Sequence, residues 1–493
     1  MKILTSKEEF HKLATDYSIV PVFAEVSTDM ETPISLYYKL VGDDVGFILE
    51  SAETGKNFGR YSFIGAQPFA VLTSTCTATN IASDKQTTCL TGPPLKVLQD
   101  FLERYSFPLL TDLPPFIGGA VGYLSYEAVS TFERIRGLSV PDAMIVGEYL
   151  FCQVIVIMDH LTNVTRLVYL AINQQGTAAP AAYEAACQKL AEVADKLAQA
   201  VVLPPFSKAS SNPADAKATA AALPSQARYV AMVKQAQEYI AAGDIFQVVL
   251  SQQFCRKLNK HPFAIYRRLR QVNPSPYMFY INFGDRQLVG ASPEMLVKVA
   301  DGQVMTCPIA GARPRGKTPA ADAKLAAELL ADSKERAEHA MLVDLGRNDI
   351  GRVSLPGTVK VVKLMEVGRF SHVMHLISEV TGTLDPRYKA LDVLAACFPA
   401  GTLSGAPKVR AMEIINELEQ DQRGFYAGAI GYVDFRGNLD ACIAIRTVLI
   451  EGDQMITRNG AGIVADSIPA SEYQETLNKG QALFQVMDEG EEL

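Results

Sequence analysis

The sequence has no long hydrophobic run and no apolar segment at its amino terminus. Its longest apolar stretch, Tyr149 to Met158, is interrupted by Gln153 and is much shorter than the roughly 20 residues of a membrane helix. This stretch predicts a buried strand instead. Because Glu8 and Glu9 precede any apolar run, we expect neither a secretory signal peptide nor a membrane partner.

Closely spaced cysteines and an excess of positive charge are also missing. The eight cysteines are scattered at positions 76, 89, 152, 187, 255, 307, 397 and 442 without a Cys-x-x-Cys pair, which predicts reduced thiols rather than disulfides or a zinc site. Lys and Arg total 46 against 54 Asp and Glu, a net charge of −8. Nucleic-acid binding requires clustered positive charge, so we expect a cytoplasmic protein without a nucleic-acid partner.

Several common catalytic signatures are absent as well. The sequence has no Gly-x-Ser-x-Gly elbow and no His-Glu-x-x-His pair, which disfavours serine hydrolases of that type and zinc proteases. It also lacks the Gly-x-x-x-x-Gly-Lys-Ser/Thr spacing of a phosphate-binding loop, which disfavours nucleotide binding.

What the sequence does contain predicts an α+β protein with two domains. At 493 residues and 48% hydrophobic content it can bury more than one core. A Pro-, Ser- and Ala-rich shift predicts a linker at 201–224, between an amino-terminal domain (1–200) and a second domain (225–493). In the second, Tyr277–Phe283 and the strand from Gln287 are predicted to pair antiparallel around a turn at Gly284-Asp285. Ser225 is predicted to open an amphipathic helix that Gly243 ends.

One candidate for chemistry is an acid on the apolar side of a predicted helix. Glu338 lies three, four and seven residues before Met341, Leu342 and Leu345, so a helix directs it toward the buried side. Burying an unpaired carboxylate there costs free energy, and a divalent cation such as Mg²⁺ can neutralise the charge. An ion pair with a neighbouring Arg or Lys does so more commonly.

A second acidic helix is predicted near the carboxyl terminus. Ser471 with Gln474 is typical of a helix start, which places Glu475 in the first turn. An ion pair between Glu475 and Lys479, four residues apart on the helix, would be sufficient to explain a glutamate at position 475. The preceding Gly460-Ala-Gly462 segment could present backbone N–H groups to an anion, although a tight turn explains it equally well.

Two further segments carry candidate residues. In Phe398–Ile415, Ser404 is predicted to cap a helix whose buried face contains Ala411, Ile414 and Leu418. Hydroxyls and amides before such a helix suit a carboxylate or phosphate. His375 lies in a predicted strand, where a lone histidine is more often a satisfied core or surface residue than a catalytic one.

Taken together, a series of segments resembles the chorismate-utilising enzymes, and among them the anthranilate synthase large subunits, over essentially the whole chain. These segments are Asn273-Pro-Ser-Pro-Tyr-Met278, Gly290-Ala-Ser-Pro-Glu294, Pro308-Ile-Ala-Gly311, Arg313-Pro-Arg-Gly316, Asp344-Leu-Gly-Arg-Asn-Asp349, Gly401–Met412, Ile445-Arg446 and Gly460–Ser467. The resemblance implies large antiparallel sheets packed as a sandwich with helices outside. It also implies Mg²⁺-dependent amination of chorismate with loss of pyruvate to give anthranilate, the first step of tryptophan biosynthesis.

The same resemblance implies roles for individual residues. Mg²⁺ would be held by Glu338 and Glu475, and Glu294 would be the general acid that protonates the departing hydroxyl. The remaining catalytic set would be His375, Thr402 and Gln247. The substrate pocket would comprise Gly311, Ala312, Tyr426, Arg446, Gly460, Ala461, Gly462 and Lys479. A site for tryptophan as inhibitor would comprise Ser51, Pro276, Tyr277 and Met278 and would span the two predicted domains.

Two positions bear on which reaction of the family is expected. Gln247 stands where the water-adding relatives place a lysine base, and Ala310 stands where aminodeoxychorismate synthases typically carry a lysine. Both residues favour anthranilate as product. The chain has no Gly-x-Cys-x-Gly nucleophile with a downstream His, so ammonia would come from solution or from a separate glutamine amidotransferase subunit in a hetero-oligomer.

Three departures from the family pattern keep other interpretations open. Ala312 replaces a Thr, Ala427 replaces a Gly, and Arg458-Asn459 replaces the usual Gln-Ala. If position 427 requires a positive φ, alanine there costs on the order of 1 kcal/mol. The alternatives are a catalytically impaired, tryptophan-binding paralogue and another aminating enzyme, an aminodeoxychorismate or aminodeoxyisochorismate synthase.

Overall fold

The computed structural model describes residues 1–51, 59–83, 86–111, 113–172, 179–204, 222–369 and 373–488. The helices in these ranges are α1 (Lys7–Asp16), α2 (Pro33–Leu40), α3 (Pro94–Leu102), α4 (Ala179–Ala198), α5 (Gln226–Ala241), α6 (Pro262–Val272), α7 (Pro319–Ala331), α8 (Ser333–Gly351), α9 (Ala390–Cys397), α10 (Lys408–Glu419) and α11 (Pro469–Asp488). None of these helices combines the length and hydrophobicity that crossing a membrane requires.

The strands supply most of the framework. They are β1 (Lys2–Ile3), β2 (Ile19–Val26), β3 (Gly46–Glu50), β4 (Tyr61–Ser74), β5 (Ala78–Ser83), β6 (Thr87–Thr91), β7 (Gly119–Leu124), β8 (Gly147–Asp159), β9 (Val164–Ile172), β10 (Ala222–Leu223), β11 (Gln247–Lys257), β12 (Tyr277–Asn282), β13 (Arg286–Ser292), β14 (Met295–Ala300), β15 (Gln303–Thr306), β16 (Ile309–Pro314), β17 (Lys360–Arg369), β18 (Val373–Thr383), β19 (Gly405–Ala406), β20 (Ala429–Asp434), β21 (Leu439–Ile443), β22 (Thr447–Glu451) and β23 (Gln454–Ile463).

The strands form one hydrogen-bonded network with antiparallel pairing. Long pairs such as β4 with β8 and β11 with β23 run antiparallel over ten or more residues. Helices pack on this framework, with α11 against β23, α10 against β11 and α8 against β16 and β18. The predicted α+β class with large antiparallel sheets is therefore confirmed.

The two predicted domains contribute strands to the same network. Strand β3 pairs with β12, with Glu50 opposite Met278, and β7 pairs with β20, with Gly122 opposite Gly431. Both main hydrophobic clusters also contain residues from each side of the predicted linker. Because 205–221 lies outside the described residues, the linker at 201–224 stays a prediction.

Local predictions based on turn chemistry and periodicity are largely confirmed. Strands β12 and β13 form the expected hairpin, and Gly284 in its turn has a φ of +100°, which glycine adopts without steric cost. Helix α5 begins after Ser225, whose hydroxyl accepts the N–H of Arg228. The apolar run from Tyr149 lies in the buried strand β8. All eight cysteines are free thiols.

Two predicted helix starts are wrong. Helix α11 begins at Pro469 rather than after Ser471, because proline favours the first helical turn, where its missing N–H costs nothing. Ser404 does not cap α10, which begins after Pro407 without a side-chain cap. The Ser404 hydroxyl instead donates to the Ala400 carbonyl, 2.9 Å away.

Candidate active site

A cavity of about 610 Å³ lies where β11, β16, β18 and β23 meet helices α8 and α11. This volume is within the usual range for a small-molecule site. The predicted catalytic, substrate and metal residues that line it are Gln247, Glu294, Gly311, Ala312, Glu338, His375, Thr402, Tyr426, Arg446, Gly460, Gly462, Glu475 and Lys479. The fold thus brings together side chains that are widely separated in sequence.

Ala461 is the exception among the predicted pocket residues. Its side chain is fully buried in a hydrophobic cluster with Tyr229 and Met232, because successive residues of β23 point to opposite faces of the sheet. Gly460 and Gly462 lie on the cavity side. A Cβ atom at Gly460 would lie 2.6 Å from the Tyr426 hydroxyl, and one at Gly462 would lie 2.7 Å from Gln247 Nε2. Position 460 therefore requires glycine, because the Leu250 carbonyl oxygen would also lie 2.7 Å from its Cβ, whereas a Cβ at Gly462 would displace the end of the Gln247 side chain.

Glu294 immediately precedes β14 and has the environment of a general acid. Burial raises the pKa of its carboxyl to about 7, although the Thr402 hydroxyl and the Lys479 ammonium act in the opposite direction. Thr402 Oγ1 donates to Glu294 Oε1 at 2.9 Å. At neutral pH a substantial fraction of Glu294 is thus protonated and able to donate a proton.

His375 on β18 is oriented by a backbone acceptor. Its Nδ1 lies 2.5 Å from the Gly311 carbonyl, which can only accept, so Nδ1 carries the proton. Burial lowers the pKa of the imidazole, and the ring is therefore neutral. A neutral ring with this tautomer has its lone pair on Nε2 and can act as a base.

One side of the cavity carries positive charge. Burial lowers the pKa of the Arg446 guanidinium, and none of the described carboxylates forms an ion pair with it. Tyr426, whose buried hydroxyl has a pKa of about 12, and Gly460 line the same cavity. Lys479 donates to the Gly460 carbonyl at 3.1 Å. A desolvated guanidinium beside a neutral phenol suits a carboxylate.

Two helices also present carboxylates to this cavity. Glu338 of α8 and Glu475 of α11 line the cavity, and Glu475 pairs with Lys479 at 2.6 Å as the spacing predicts. Burial raises the pKa of Glu338, and the like charge of Glu335 adds to this rise, whereas a hydrogen bond from Gln247 opposes it. These carboxylates are suitable ligands for a hard cation.

The described residues contain no group of three or more side chains able to hold a metal ion among themselves. Glu338 and Glu475 are hard oxygen donors, and Mg²⁺ usually takes one or two protein carboxylates and completes its shell with water and substrate oxygens. By chemical type these two residues fit the predicted ion.

The sequence analysis missed two acids that face the same space. Glu335 and Glu472 line the cavity together with Glu338 and Glu475. Burial raises the pKa of Glu472, and the charge of Glu475 adds to the shift. Each missed acid precedes a predicted ligand by three residues, a spacing that places both on one helix face. That spacing is the signal that could have identified them.

The three departures from the family pattern have distinct structural settings. Ala312 is exposed on the cavity wall. Ala427 is fully buried with a φ of +63°, so this position does require the left-handed conformation that disfavours alanine. Arg458 is almost completely buried, donates to Ser251 at 2.9 Å and lies 3.6 Å from the Glu419 carboxylate, which also pairs with Arg423.

The predicted tryptophan residues meet where β3 ends and β12 begins. Glu50, the last residue of β3, lies opposite Met278, and Ser51 follows it with a buried hydroxyl that has no partner among the described residues. Met278 is almost fully buried, and the Tyr277 hydroxyl donates to Asp440 at 2.9 Å. Pro276 immediately precedes this strand.

Fold and cavity together define an enzyme built on a large antiparallel sheet, with a buried acid, further carboxylates and a buried guanidinium lining one cavity. The model of the chorismate binding enzyme family matches residues 47–485. The chain therefore belongs to the chorismate-binding enzyme family.

Full-length relatives point to one branch of this family. The chain is 44% identical to anthranilate synthase component 1 of Acetivibrio thermocellus, with 99% of each chain covered. It is 42% identical to the protein of that name from Aquifex aeolicus, over 100% of this chain and 99% of that one. The crystal structure of anthranilate synthase component I from Streptococcus pneumoniae is 35% identical and has a TM-score of 0.73, with 94% of this chain and 99% of that chain covered.

A more distant structure supports the fold alone. The menaquinone-specific isochorismate synthase of Escherichia coli shares 19% identity with this chain. The similarity covers 98% of this chain and 99% of that chain, with a TM-score of 0.71.

Proposed function

We propose that this chain aminates chorismate and eliminates pyruvate to form anthranilate, the first step of tryptophan biosynthesis. The observation that carries the proposal is Glu294, an acid with a pKa of about 7, in one cavity with the buried Arg446 guanidinium, which has no ion pair among the described residues. Chorismate has a poor leaving hydroxyl and two carboxylates, so it needs a proton donor and anion sites. The full-length similarity to proteins named anthranilate synthase component 1 supports the same assignment.

In the proposed reaction Glu294 protonates the C4 hydroxyl while ammonia attacks C2. Arg446, Tyr426 and the backbone amides near Gly460 hold the enolpyruvyl carboxylate and fix the ring relative to the acid. His375, neutral with its lone pair on Nε2, then removes the proton whose loss accompanies pyruvate elimination.

Gln247 supports amination over the addition of water. Its Oε1 atom is buried and has no partner among the described residues, while its Nε2 donates to Glu338 Oε1 at 3.3 Å. A neutral amide oxygen can accept an N–H of ammonia but cannot deprotonate water. Ammonia is a nucleophile without such a base, so this residue suits the proposed reaction.

Mg²⁺ is part of the proposal, with Glu338 and Glu475 as its protein ligands. When bound, it would neutralise the ring carboxylate of chorismate and orient it as a Lewis acid and template. We also propose that a separate glutamine amidotransferase subunit supplies ammonia and forms a hetero-oligomer with this chain. The word "component" in the relatives' names agrees with a partner subunit.

The proposal is tested by incubating the purified chain with chorismate, Mg²⁺ and ammonium at mildly alkaline pH and separating the products by chromatography. Anthranilate and pyruvate in equal amounts, both lost on chelation, are the expected result. An aminated product that retains the enolpyruvyl group would instead identify an aminodeoxychorismate or aminodeoxyisochorismate synthase. Unchanged chorismate would contradict the proposed activity and favour an impaired, tryptophan-binding paralogue.

The pH dependence of this reaction follows from Glu294. Because the protonated carboxyl is the active form and its pKa is about 7, we expect kcat/KM at constant free ammonia to fall as pH rises through about 7. Thr402→Val removes a hydrogen bond that lowers this pKa, so the fall in kcat/KM should move to higher pH. Thr402→Ser keeps the hydroxyl, so its kcat/KM should fall at the same pH as in the wild type. If kcat/KM falls at the wild-type pH in both variants, the role of Glu294 is contradicted.

We further propose that tryptophan inhibits the enzyme by binding where β3 meets β12. The buried Ser51 hydroxyl, which has no partner within the described part of the chain, supports a polar ligand there. Tryptophan should raise the melting temperature of the protein and inhibit turnover, and Ser51→Ala should weaken both effects. Ser27→Ala, at an exposed serine, is the matched control. Equal inhibition of all three proteins would exclude this site.

A further inference from the structure

A second, smaller cavity adjoins the acid side of the active site. It has a volume of about 40 Å³ and shares Glu294, Thr402 and Leu342 with the large cavity. Since one water requires roughly 10–15 Å³ of such space, about two or three water molecules fit. The Glu294 carboxyl therefore borders two compartments, one for substrate and one with room only for water.

A buried ion pair that the proposed reaction does not use borders the same small cavity. Asp349, near the end of α8, lines the cavity and accepts from Lys408 Nζ of α10 at 2.8 Å. Burial raises the pKa of Asp349, and the Lys408 ammonium opposes this rise. The Asp349 and Lys408 side chains retain 10% and 14% exposure, and of the two only Asp349 lines the cavity. The ion pair also joins the end of α8 to the start of α10.

The proton balance of the proposed reaction requires a route to Glu294. In each turnover the Glu294 O–H bond breaks, the C4–O electron pair leaves with the oxygen, and a water molecule forms. The ammonium formed at C2 loses one proton to solvent, and the Glu294 carboxylate must gain one. While chorismate or its product occupies the large cavity, the small cavity is a second side from which the Glu294 carboxylate can be reached.

We propose that the small cavity holds a short water chain through which the Asp349–Lys408 pair returns a proton to Glu294, and that the pair then regains a proton from solvent. This inference rests on the proposed function. Asp349 lines the small cavity but not the large one, and it acts as a proton-relay residue through Glu294. The hydroxyl of Thr402 and the thiol of Cys307, which also line the small cavity, offer further hydrogen-bonding groups along the wall.

The test compares Asp349→Asn with Asp344→Asn in the full-length chain. Asp344 lies on the same helix but is exposed, with a surface ion pair to Arg347, so its variant is a matched control. For Asp349→Asn we expect kcat to fall about tenfold, with the KM for chorismate unchanged. The solvent deuterium isotope effect on kcat should rise, because reprotonation becomes rate-limiting. Asp344→Asn should match the wild type in all three measurements.

Because Asp349→Asn leaves Lys408 without its partner, a second variant keeps the test valid if that protein fails to fold. Gly346→Ala adds a methyl group to the cavity wall, with its Cβ 3.1 Å from Thr306 Cγ2 and 3.5 Å from Pro308 Cγ. Alanine is favoured over glycine within a helix, so folding should be retained. We expect the same fall in kcat and the same rise in the isotope effect.

Folded variants with wild-type kcat and isotope effect would overturn the relay. So would a lower kcat with an unchanged isotope effect and a lower melting temperature, since these indicate a purely structural ion pair. The identity of the wild-type product tests the proposed function separately. Anthranilate from the wild type with an unaltered isotope effect in the variants would leave the function intact and reject only the relay, whereas unchanged chorismate would reject both.

Discussion

Glu294→Gln is expected to lower kcat by about three orders of magnitude, within the range of general acid catalysis. Glutamine has nearly the same shape and can still accept from Thr402, but it has no proton to give to the C4 hydroxyl. Binding of chorismate should therefore change little, since Arg446 and the glycine segment are untouched. Steady-state kinetics and the dissociation constant for chorismate, measured with Mg²⁺ present, separate these two effects.

Glu417→Gln is a suitable control for this variant. Glu417 lies on the exposed face of α10, where it accepts from the Tyr239 hydroxyl at 2.6 Å. It should retain wild-type turnover. If Glu294→Gln keeps more than about a tenth of the wild-type kcat, the assigned general acid is wrong.

Glu338→Gln is expected to reduce turnover by at least about a hundredfold, because the loss of a metal ligand removes several kcal/mol of charge stabilisation. The remaining activity should require much higher Mg²⁺ concentrations, since an amide is a weaker ligand than a carboxylate. Turnover as a function of Mg²⁺ concentration provides this measurement, and direct titration of Mg²⁺ provides a readout that does not depend on activity.

Glu328→Gln on α7, where the glutamate is half exposed and loosely paired with Lys324, is the control for Glu338→Gln. It should change neither activity nor Mg²⁺ dependence. Retained turnover in Glu338→Gln with an unchanged Mg²⁺ requirement would show that another residue holds the ion, and Glu335 would be the next to test because it lines the same cavity.

Features governed by neighbours in sequence could be predicted well. The hairpin around Gly284, the helix after Ser225 and the inward direction of Glu338 follow from turn chemistry and the 3.6-residue helical period. Helix starts were less predictable, because Ser471 and Pro469 both favour a start and the proline prevailed. The site residues were predicted from the family resemblance. Periodicity alone did not identify them, because ion pairs and a tight turn explain the same residues equally well.

The sequence by itself determined the antiparallel α+β class, the family, and a set of catalytic, substrate and metal residues of which all but Ala461 line the cavity. Only the tertiary structure decided which of them meet and in what chemical state. The pKa of Glu294, the burial of Arg446, the packing of Ala461 away from the cavity and the addition of Glu335 depend on burial and on strands from distant parts of the chain. Burial and proximity arise from long-range packing, and neither can be inferred from a residue's neighbours in sequence.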